Sequence, residues 1–556
     1  MQKLMRAGRG RIALFAAIIA LLLVSGGFTP NTEGDYFFKI NKSIDIFGQV
    51  YKEIASNYVD EVDPEKFMRA GIDGMLGTLD PYTVFIAKEE GDEVELLTNG
   101  KYGGIGVTIG SREGAIQVVT VMDGYSAQRA GIIPGDKILE VDGVKVENKK
   151  PDEVRSLTRG EPGTEVRVLV EREGEKKPLM FVLIREEIQL KNVTYFELRD
   201  NNIAYIRLER FSRRAGDEVR QAIKEMKLKG EIKGVVLDLR GNPGGLLDAA
   251  VDVVSKFIPK GSVIVTTRGR RPETEKHYAS VEEPLLPGAP LVVLVDRGSA
   301  SASEIVAGSL QDLDRAIVVG TRSFGKGLVQ TVQRLSYDAQ IKITTARYYI
   351  PSGRSIQEID YMHKDGNGVF ATVPDSLKRA FKTKGGRTVY EYGGISPDSA
   401  VQAEETGPMI RELNRKSLFF KFANKYFSDH RNEPFAGVTP AILNQFKTYI
   451  EEQKFDYKEE SEGKIKELHQ IAERSHYSKE VLNDLDLLMS ALEKEKDRGF
   501  ERYKDHIERE LNAEMMARVK GEAGRIAESL AGDKQLDVAL QIVRSPAMYS
   551  KKMVGH

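Results

Sequence analysis

No cysteine occurs anywhere in the 556 residues. That absence excludes disulfides, thiol catalysis, thiolate metal sites and lipid attachment at an N-terminal cysteine. Histidine is scarce. The seven are His277, His363, His430, His469, His476, His506 and His556, and no two have the close helical spacing of a zinc motif. No metal and no cofactor is expected. An excess of either charge is also missing: 82 basic residues face 83 acidic ones, a net charge of −1. A nucleic-acid partner calls for a basic excess, so none is expected. One apolar run stands out, at residues 12–24, after Lys3, Arg6, Arg9 and Arg11 and before Ser25-Gly26-Gly27. A basic flank, a short apolar core and small residues after it describe a secretory signal. The run falls short of the roughly 20 residues of a spanning helix, although Phe28 could extend it. Residues 1–28 are therefore expected to be a signal peptide or an N-terminal anchor. The rest of the chain is expected in the periplasm or cell envelope, with or without membrane attachment.

A chain of this length needs several domains. Residues 35–95 read as a helical region, with apolar residues such as Ile44, Phe47, Val50, Tyr51 and Ile54 at helical spacing. It ends near Leu79-Asp80-Pro81, where the proline stops a helix. Residues 96–187 change character. Tyr102-Gly103-Gly104-Ile105-Gly106-Val107 opens a strand. A second strand, the run Ala127-Gln128-Arg129-Ala130-Gly131, and Pro134-Gly135-Asp136-Lys137-Ile138 follow. A helix near 151–158 and two more strands complete the unit. It resembles a PDZ domain of the type found in bacterial proteases, with Ser126 where that family often has proline. The resemblance implies that a peptide adds as a strand while backbone N–H groups capture its terminal carboxylate. Gly103, Gly104, Ile105, Gly106 and Val107 would form that loop, glycine letting the backbone approach a ligand.

Residues 190–405 alternate strands with helices, which implies a sheet covered by helices. From 408 to 556 the leucines, isoleucines and phenylalanines ride on Lys/Glu-rich helical patterns broken at Pro434, Pro440 and Pro546, an all-α region. In the α/β part, Gly298-Ser299-Ala300-Ser301-Ala302-Ser303-Glu304 leads from a strand into a helix. A serine there lies where unpaired N–H groups and the helix dipole favour an oxyanion. Its hydroxyl needs a base. The histidines of this part, His277 and His363, lie in polar, loop-like sequence. A lysine serves if burial lowers its pKa, and Lys326 in Ser323-Phe324-Gly325-Lys326-Gly327 has apolar and small neighbours. Taken alone, Ser301 reads equally as the cap of a helix answered by Glu304 in a capping box, and Lys326 as a surface lysine.

Together these segments resemble the carboxyl-terminal processing peptidases, also called tail-specific proteases. Lys326 follows Ser301 by 25 positions, as that family's pattern requires, which selects Ser301 over Ser299 and Ser303. Further matches are Asp238-Leu239-Arg240-Gly241-Asn242-Pro243-Gly244-Gly245, Gln311-Asp312, Tyr348-Tyr349-Ile350-Pro351-Ser352-Gly353-Arg354, Gly394-Ile395-Ser396-Pro397-Asp398 and Leu79-Asp80-Pro81-Tyr82. The resemblance implies a multidomain protein: an α/β protease core of ClpP/crotonase-like β-α units plus strands, an inserted PDZ domain and the all-α C-terminal region. It implies Ser301 as nucleophile, Lys326 as general base and Gln330 as the group that orients the lysine. The N–H of Ala302 and one of Gly244 or Gly245 would form the oxyanion hole. The activity implied is a serine endopeptidase that cleaves envelope or secreted proteins near their C-termini. Its partners would be proteins or peptides with free C-termini, and a second copy or an adaptor on the C-terminal helices. An HtrA-type protease fails as a rival, because Pro243 stands where its nucleophile would be and the PDZ unit precedes the core. The alternative is a catalytically silent PDZ scaffold that binds C-terminal tails.

Overall fold

The computed structural model describes residues 32–554, except 89–90, 113, 365–369, 375, 377 and 432. The signal expected over 1–28 and His556 lie outside the described residues. No helix among the described residues is long and apolar enough to cross a membrane. The chain forms two compact units, one up to Thr78 and one from Leu79 onward.

In the first unit, helices α1 (Thr32–Asn57) and α2 (Pro64–Leu76) form a hairpin. Asp63 caps α2 by accepting from the N–H groups of Glu65 and Lys66, and Pro64 at its first position needs no such partner. Tyr51 ties the pair, its hydroxyl donating to the Pro64 carbonyl at 2.7 Å and its ring lying 5.0 Å from Phe67.

The second unit begins with β1 (Val84–Ile86) and α3 (Gly91–Asn99). There follow β2 (Lys101–Gly104), β3 (Val107–Arg112), β4 (Ala115–Val121), α4 (Ser126–Ala130), β5 (Lys137–Val141), β6 (Val144–Lys145), α5 (Pro151–Thr158), β7 (Glu165–Glu171), β8 (Leu179–Ile184) and β9 (Glu186–Gln189). The strand expected to open at Tyr102 is broken into β2 and β3, because Gly106 turns the chain at φ 81°. β2 pairs with β9, while β3 forms one edge of an antiparallel sheet ordered β3-β4-β5-β7-β8. Alternation in β7 explains its facing: Val166, Val168 and Val170 are buried and Glu165 and Arg167 are exposed. Ser126 is held by two hydrogen bonds. Its N–H donates to Glu186 and its hydroxyl accepts from the Ile184 N–H, and proline could do neither.

Beyond lie β10 (Val193–Arg199), β11 (Ile203–Leu208), α6 (Ala215–Lys229), β12 (Gly234–Asp238), α7 (Leu247–Ser255), β13 (Val263–Gly269), β14 (Lys276–Ala279), β15 (Leu291–Val295), α8 (Ala302–Asp312) and β16 (Ile317–Gly320). Next are β17 (Leu328–Arg334), β18 (Gln340–Tyr349), β19 (Ile359–Lys364), β20 (Phe370–Thr372), β21 (Ala380–Lys382), β22 (Thr388–Tyr390) and β23 (Ser399–Ala400). The central sheet runs β10-β11-β12-β15-β16-β23, parallel except for β10. β12 and β15 are buried along their whole length, as parallel strands with both faces covered must be. Helices α6, α7 and α8 cover one face. A second, antiparallel sheet is ordered β1-β18-β13-β14, with β17 also on β18.

The C-terminal region is helical: α9 (Pro408–Arg415), α10 (Leu418–Asp429), α11 (Pro440–Glu452), α12 (Glu460–Arg474), α13 (Lys479–Asp497), α14 (Gly499–Arg502), α15 (Lys504–Ser529), α16 (Lys534–Arg544) and α17 (Pro546–Val554). Pro440 and Pro546 open helices here. Phe419, Phe422 and Phe446 centre a separate core. Two features were not legible in the sequence. Phe420 of α10 lies under the guanidinium of Arg112 at 3.7 Å, and Arg431 pairs with Glu175 at 2.9 Å, so the helical region grips the β3–β8 unit. α16 returns to the central sheet, where Leu536, Ala539, Leu540 and Val543 cover the face opposite α6–α8.

Candidate active site

Strand β15 delivers a tight loop at the N-terminus of α8. Asp296 organises it: one carboxylate oxygen accepts the N–H groups of Gly298 at 2.9 Å, Ser299 at 3.1 Å and, from the neighbouring loop, Gly241 at 2.9 Å. The three serines that follow differ in what their hydroxyls do. Ser299, fully buried, donates to the Leu239 carbonyl at 2.8 Å, and Ser303, also fully buried, to the Asn242 carbonyl at 2.8 Å. Ser299 thereby ties the turn before α8 to the residue that follows β12, and Ser303 holds loop 241–245 against α8. Ser301 is partly exposed and its hydroxyl makes no capping hydrogen bond. The Glu304 N–H goes instead to the Ser301 carbonyl at 2.9 Å. Ser301 also sits at φ 55°, ψ −112°, outside the ordinary regions for a side chain with a Cβ. Such a conformation costs on the order of 1–3 kcal/mol and persists where the surroundings impose it.

The sequence read Glu304 as one half of a capping box, and that half is formed, for its carboxylate accepts the Ser301 N–H at 2.9 Å. Its larger role is missing from that reading. The fully buried carboxylate also accepts the Ser323 hydroxyl at 2.6 Å and the N–H groups of Gly325 at 2.7 Å and Lys326 at 2.9 Å. One side chain thus fixes the backbones of Ser301 and Lys326 together. Burial pushes its carboxyl up to about 7, against the pull of those four donors. Tyr348, buried beneath, places its hydroxyl between the carbonyls of Ser301 at 3.1 Å and Lys326 at 2.5 Å.

The Lys326 ammonium has no carboxylate within ion-pair distance among the described residues. Its Nζ lies 4.0 Å from the ring centre of Tyr82. Burial first, and then Lys342, lower its pKa to about 8, partly offset by Asp80 and Glu304. A lysine in that range is available as a base near neutral pH. Gln330 lies on β17, its Nε2 donating to Thr344 Oγ1 at 3.0 Å. His277 is exposed on β14 and bonds to Thr266; the His363 side chain is outside the described residues.

Loop 241–245 passes alongside. A Cβ on Gly244 would lie 2.9 Å from both the Ala302 nitrogen and the Ser301 Cβ, so only glycine permits this approach. The Gly244 N–H is taken by Asn242 Oδ1 at 2.8 Å. Those of Gly245 and Ala302 have no partner among the described residues. In the other glycine-rich loop, the N–H groups of Ile105 and Gly106 are likewise unpartnered among the described residues, while their carbonyls accept from Ala127 and Met122. The close approaches of Gly103, Gly104 and Gly106 are to Gly160, Tyr102 and Tyr125. Val107 opens the edge strand β3.

Comparison with known proteins gives four matches along the chain. Residues 202–364 match peptidase family S41, 117–172 a PDZ domain, 409–543 the C-terminal helical domain of PDZ-proteases, and 30–90 the activating protease CtpB N-terminal domain. The carboxy-terminal-processing protease of Bartonella bacilliformis is 37% identical over 343 residues, 61% of this chain and 77% of that one. Carboxy-terminal processing protease CtpB of Bacillus subtilis is 30% identical over 402 residues, 69% and 81% of the two chains. Among solved structures, the photosystem II D1 C-terminal processing protease aligns with a TM-score of 0.35 at 26% identity, over 64% of this chain and 92% of that one.

Proposed function

Because the chain belongs to the carboxy-terminal processing proteases of peptidase family S41, serine-type peptidases with a PDZ domain and a C-terminal helical domain, we propose that Ser301 and Lys326 form its catalytic dyad and that the PDZ unit recognises substrate tails. Neutral Lys326 takes the hydroxyl proton as Ser301 Oγ attacks the scissile carbonyl carbon. The oxyanion is received by the N–H groups of Ala302 and Gly245, Gly244 being occupied by Asn242. The Lys326 ammonium then protonates the leaving amine. Water repeats the sequence on the acyl-enzyme, with Lys326 again as base. Gln330, anchored by Thr344, would orient the lysine. The observation that carries this reading is the contrast among the three serines: only the Ser301 hydroxyl is uncommitted, and Glu304 fixes its backbone to that of Lys326.

The unpartnered N–H groups of Ile105 and Gly106, beside the edge strand β3, support carboxylate capture with strand addition. Gly103 and Gly104 would shape that loop and Val107 would begin the receiving strand. Secretion through residues 1–28, a periplasmic or envelope location, anchoring there, and assembly through the C-terminal helices belong to the same proposal. So do the domain limits 35–95, 96–187, 190–405 and 408–556 and the ClpP/crotonase-like description of the core, which the parallel β11-β12-β15-β16 arrangement supports. The direct test digests a mixture of secreted proteins with the wild type and Ser301→Ala and sequences the new C-termini. Cleavage near C-termini by the wild type alone is expected; equal cleavage by folded Ser301→Ala refutes the dyad.

A further inference from the structure

The run Leu79-Asp80-Pro81-Tyr82 has no task in the mechanism above, yet it is built into the site. One Asp80 oxygen accepts the N–H groups of Tyr82 at 2.9 Å and Thr83 at 3.0 Å, and the other accepts the Thr83 hydroxyl at 3.2 Å. Thr83 Oγ1 in turn accepts the Thr344 N–H at 3.2 Å, and Thr344 Oγ1 holds Gln330. A turn wound around a carboxylate thus fixes where Tyr82 points. The Tyr82 ring is held from behind by Tyr361, edge-to-face at 5.7 Å with the two hydroxyls 3.1 Å apart, and its face meets Lys326 Nζ.

We propose that Tyr82 is a positioning residue for the catalytic base: its ring face, rather than a carboxylate or an imidazole, holds the Lys326 amine in line with Ser301 and receives the ammonium formed on proton transfer. The inference rests on Lys326 being the base. The physical argument is one of magnitude. A carboxylate in contact favours the charged lysine by one to three pH units, which would return Lys326 to its ordinary range and remove it as a base. An aliphatic wall would leave it neutral but unoriented. An aromatic face lies between, attracting a cation by an amount worth about half a unit to one unit of pH. The other charged groups facing Lys326 are Lys342, Asp80 and Glu304. All three remain in every variant below, so any movement of the titration is attributable to the ring.

The experiment measures kcat, KM and the rate of fluorophosphonate labelling of Ser301 against pH in the full chain. The variants are Tyr82→Phe, Tyr82→Leu and pentafluorophenylalanine at position 82, which keeps the ring's shape while reversing the charge of its face. Tyr82→Phe loses the hydroxyl contact with Tyr361, so kcat falls about two- to threefold, with the acidic limb where it stands in the wild type. In the leucine and fluorinated proteins the ammonium loses its partner, so the lysine titrates lower. The acidic limb moves to lower pH by about half a unit to one unit. Plateau kcat falls about tenfold or more, with KM changed less than twofold, because the base is no longer held in line. The fluorinated protein decides the matter if leucine impairs folding. An acidic limb there that coincides with that of Tyr82→Phe, or that moves to higher pH, overturns the proposal. Lys326→Ala separates the two levels: if it is active, the dyad itself is wrong, whereas if it is inactive and the limbs stay unmoved, only the role of Tyr82 falls.

Discussion

The two glycine-rich loops, residues 103–106 and 241–245, carry the same device and set it in different surroundings. Each presents backbone N–H groups that no neighbour accepts among the described residues: Ile105 with Gly106 in the first, and in the second Gly245, which stands with Ala302 of α8. In loop 241–245 the donors stand at the N-terminus of α8, and almost every other polar atom nearby is spent. Asn242, Ser299 and Ser303 are buried and engaged, so the loop cannot shift without breaking several bonds. In loop 103–106 the donors lie beside the edge strand β3, in a unit with its own small core. A rigid receptor suits a transient oxyanion, which must be met without reorganisation. A receptor at a sheet edge suits a stable carboxylate on a chain that adds as a strand. The same amide chemistry thus supports a catalytic role in one place and a recognition role in the other.

Four experiments break or sharpen this contrast, and the largest effect is expected where the proposed nucleophile is removed. Ser301→Ala and Lys326→Ala should each lower kcat by about 10⁴-fold or more, and the double variant by little beyond either, because the groups act as a unit. Multiplying losses in the double variant would show the two acting independently. Gly245→Ala comes next. Its Cβ would lie 2.3 Å from the Phe211 carbonyl oxygen, so the amide must move. Losing one oxyanion donor costs about 10²–10³ in kcat, with substrate binding little affected. A rise in KM alone would assign Gly245 to binding.

The recognition loop should respond more gently. Amidating a substrate's C-terminus is expected to slow wild-type cleavage about tenfold, roughly the worth of one charge-assisted hydrogen bond. In Gly106→Ala that difference should shrink, since a Cβ there would meet Tyr125 at 2.5 Å and the position needs φ 81°. Equal rates for the free and amidated substrates in the wild type would reduce the PDZ unit to a spacer. The smallest effect, a loss of about fourfold half a unit below pH 8, belongs to pH. With Lys326 as the proposed base, only its neutral form acts, and burial lowers its pKa to about 8, so kcat/KM should rise with pH and level off above that value. Below about 7 a second proton, on Glu304, should steepen the fall, because a protonated carboxyl can no longer accept from all four donors. His277→Gln should leave this profile where it is; a displaced acidic limb would reveal a histidine in the proton path.

Much of the arrangement could be read in the sequence because it is local. The strand-to-helix passage into α8, the serine at its head and the small residues of 241–245 are each a few positions long. Periodicity likewise marked the C-terminal region as helical. What escaped is whatever depends on distant parts of the chain meeting. Glu304 was visible as a cap, but its bonds to Ser323, Gly325 and Lys326 require the fold to bring residues 304 and 326 together. Tyr82 reaches Lys326 through a turn whose sequence signals a helix stop and matches the family, but not this contact. Nothing in the pattern of α10 announces that Phe420 will sit under Arg112. The break between β2 and β3 was missed for a different reason, because a glycine reads alike as a flexible strand residue and as a fixed turn at positive φ.

The position of α16 has a further consequence, for biosynthesis. Strands β11, β12, β15 and β16 are laid down between residues 203 and 320, but one apolar face of their sheet waits for Leu536, Ala539, Leu540 and Val543. The same helix start carries Asp533 and Gln535, which grip Arg240 at 2.7 Å and 3.0 Å immediately before loop 241–245. A nascent chain therefore holds both residues of the proposed dyad some two hundred positions before it can close the sheet beneath them. Until α16 arrives, that face lacks its apolar cover, and exposed apolar surface of this kind makes a folding intermediate prone to aggregate.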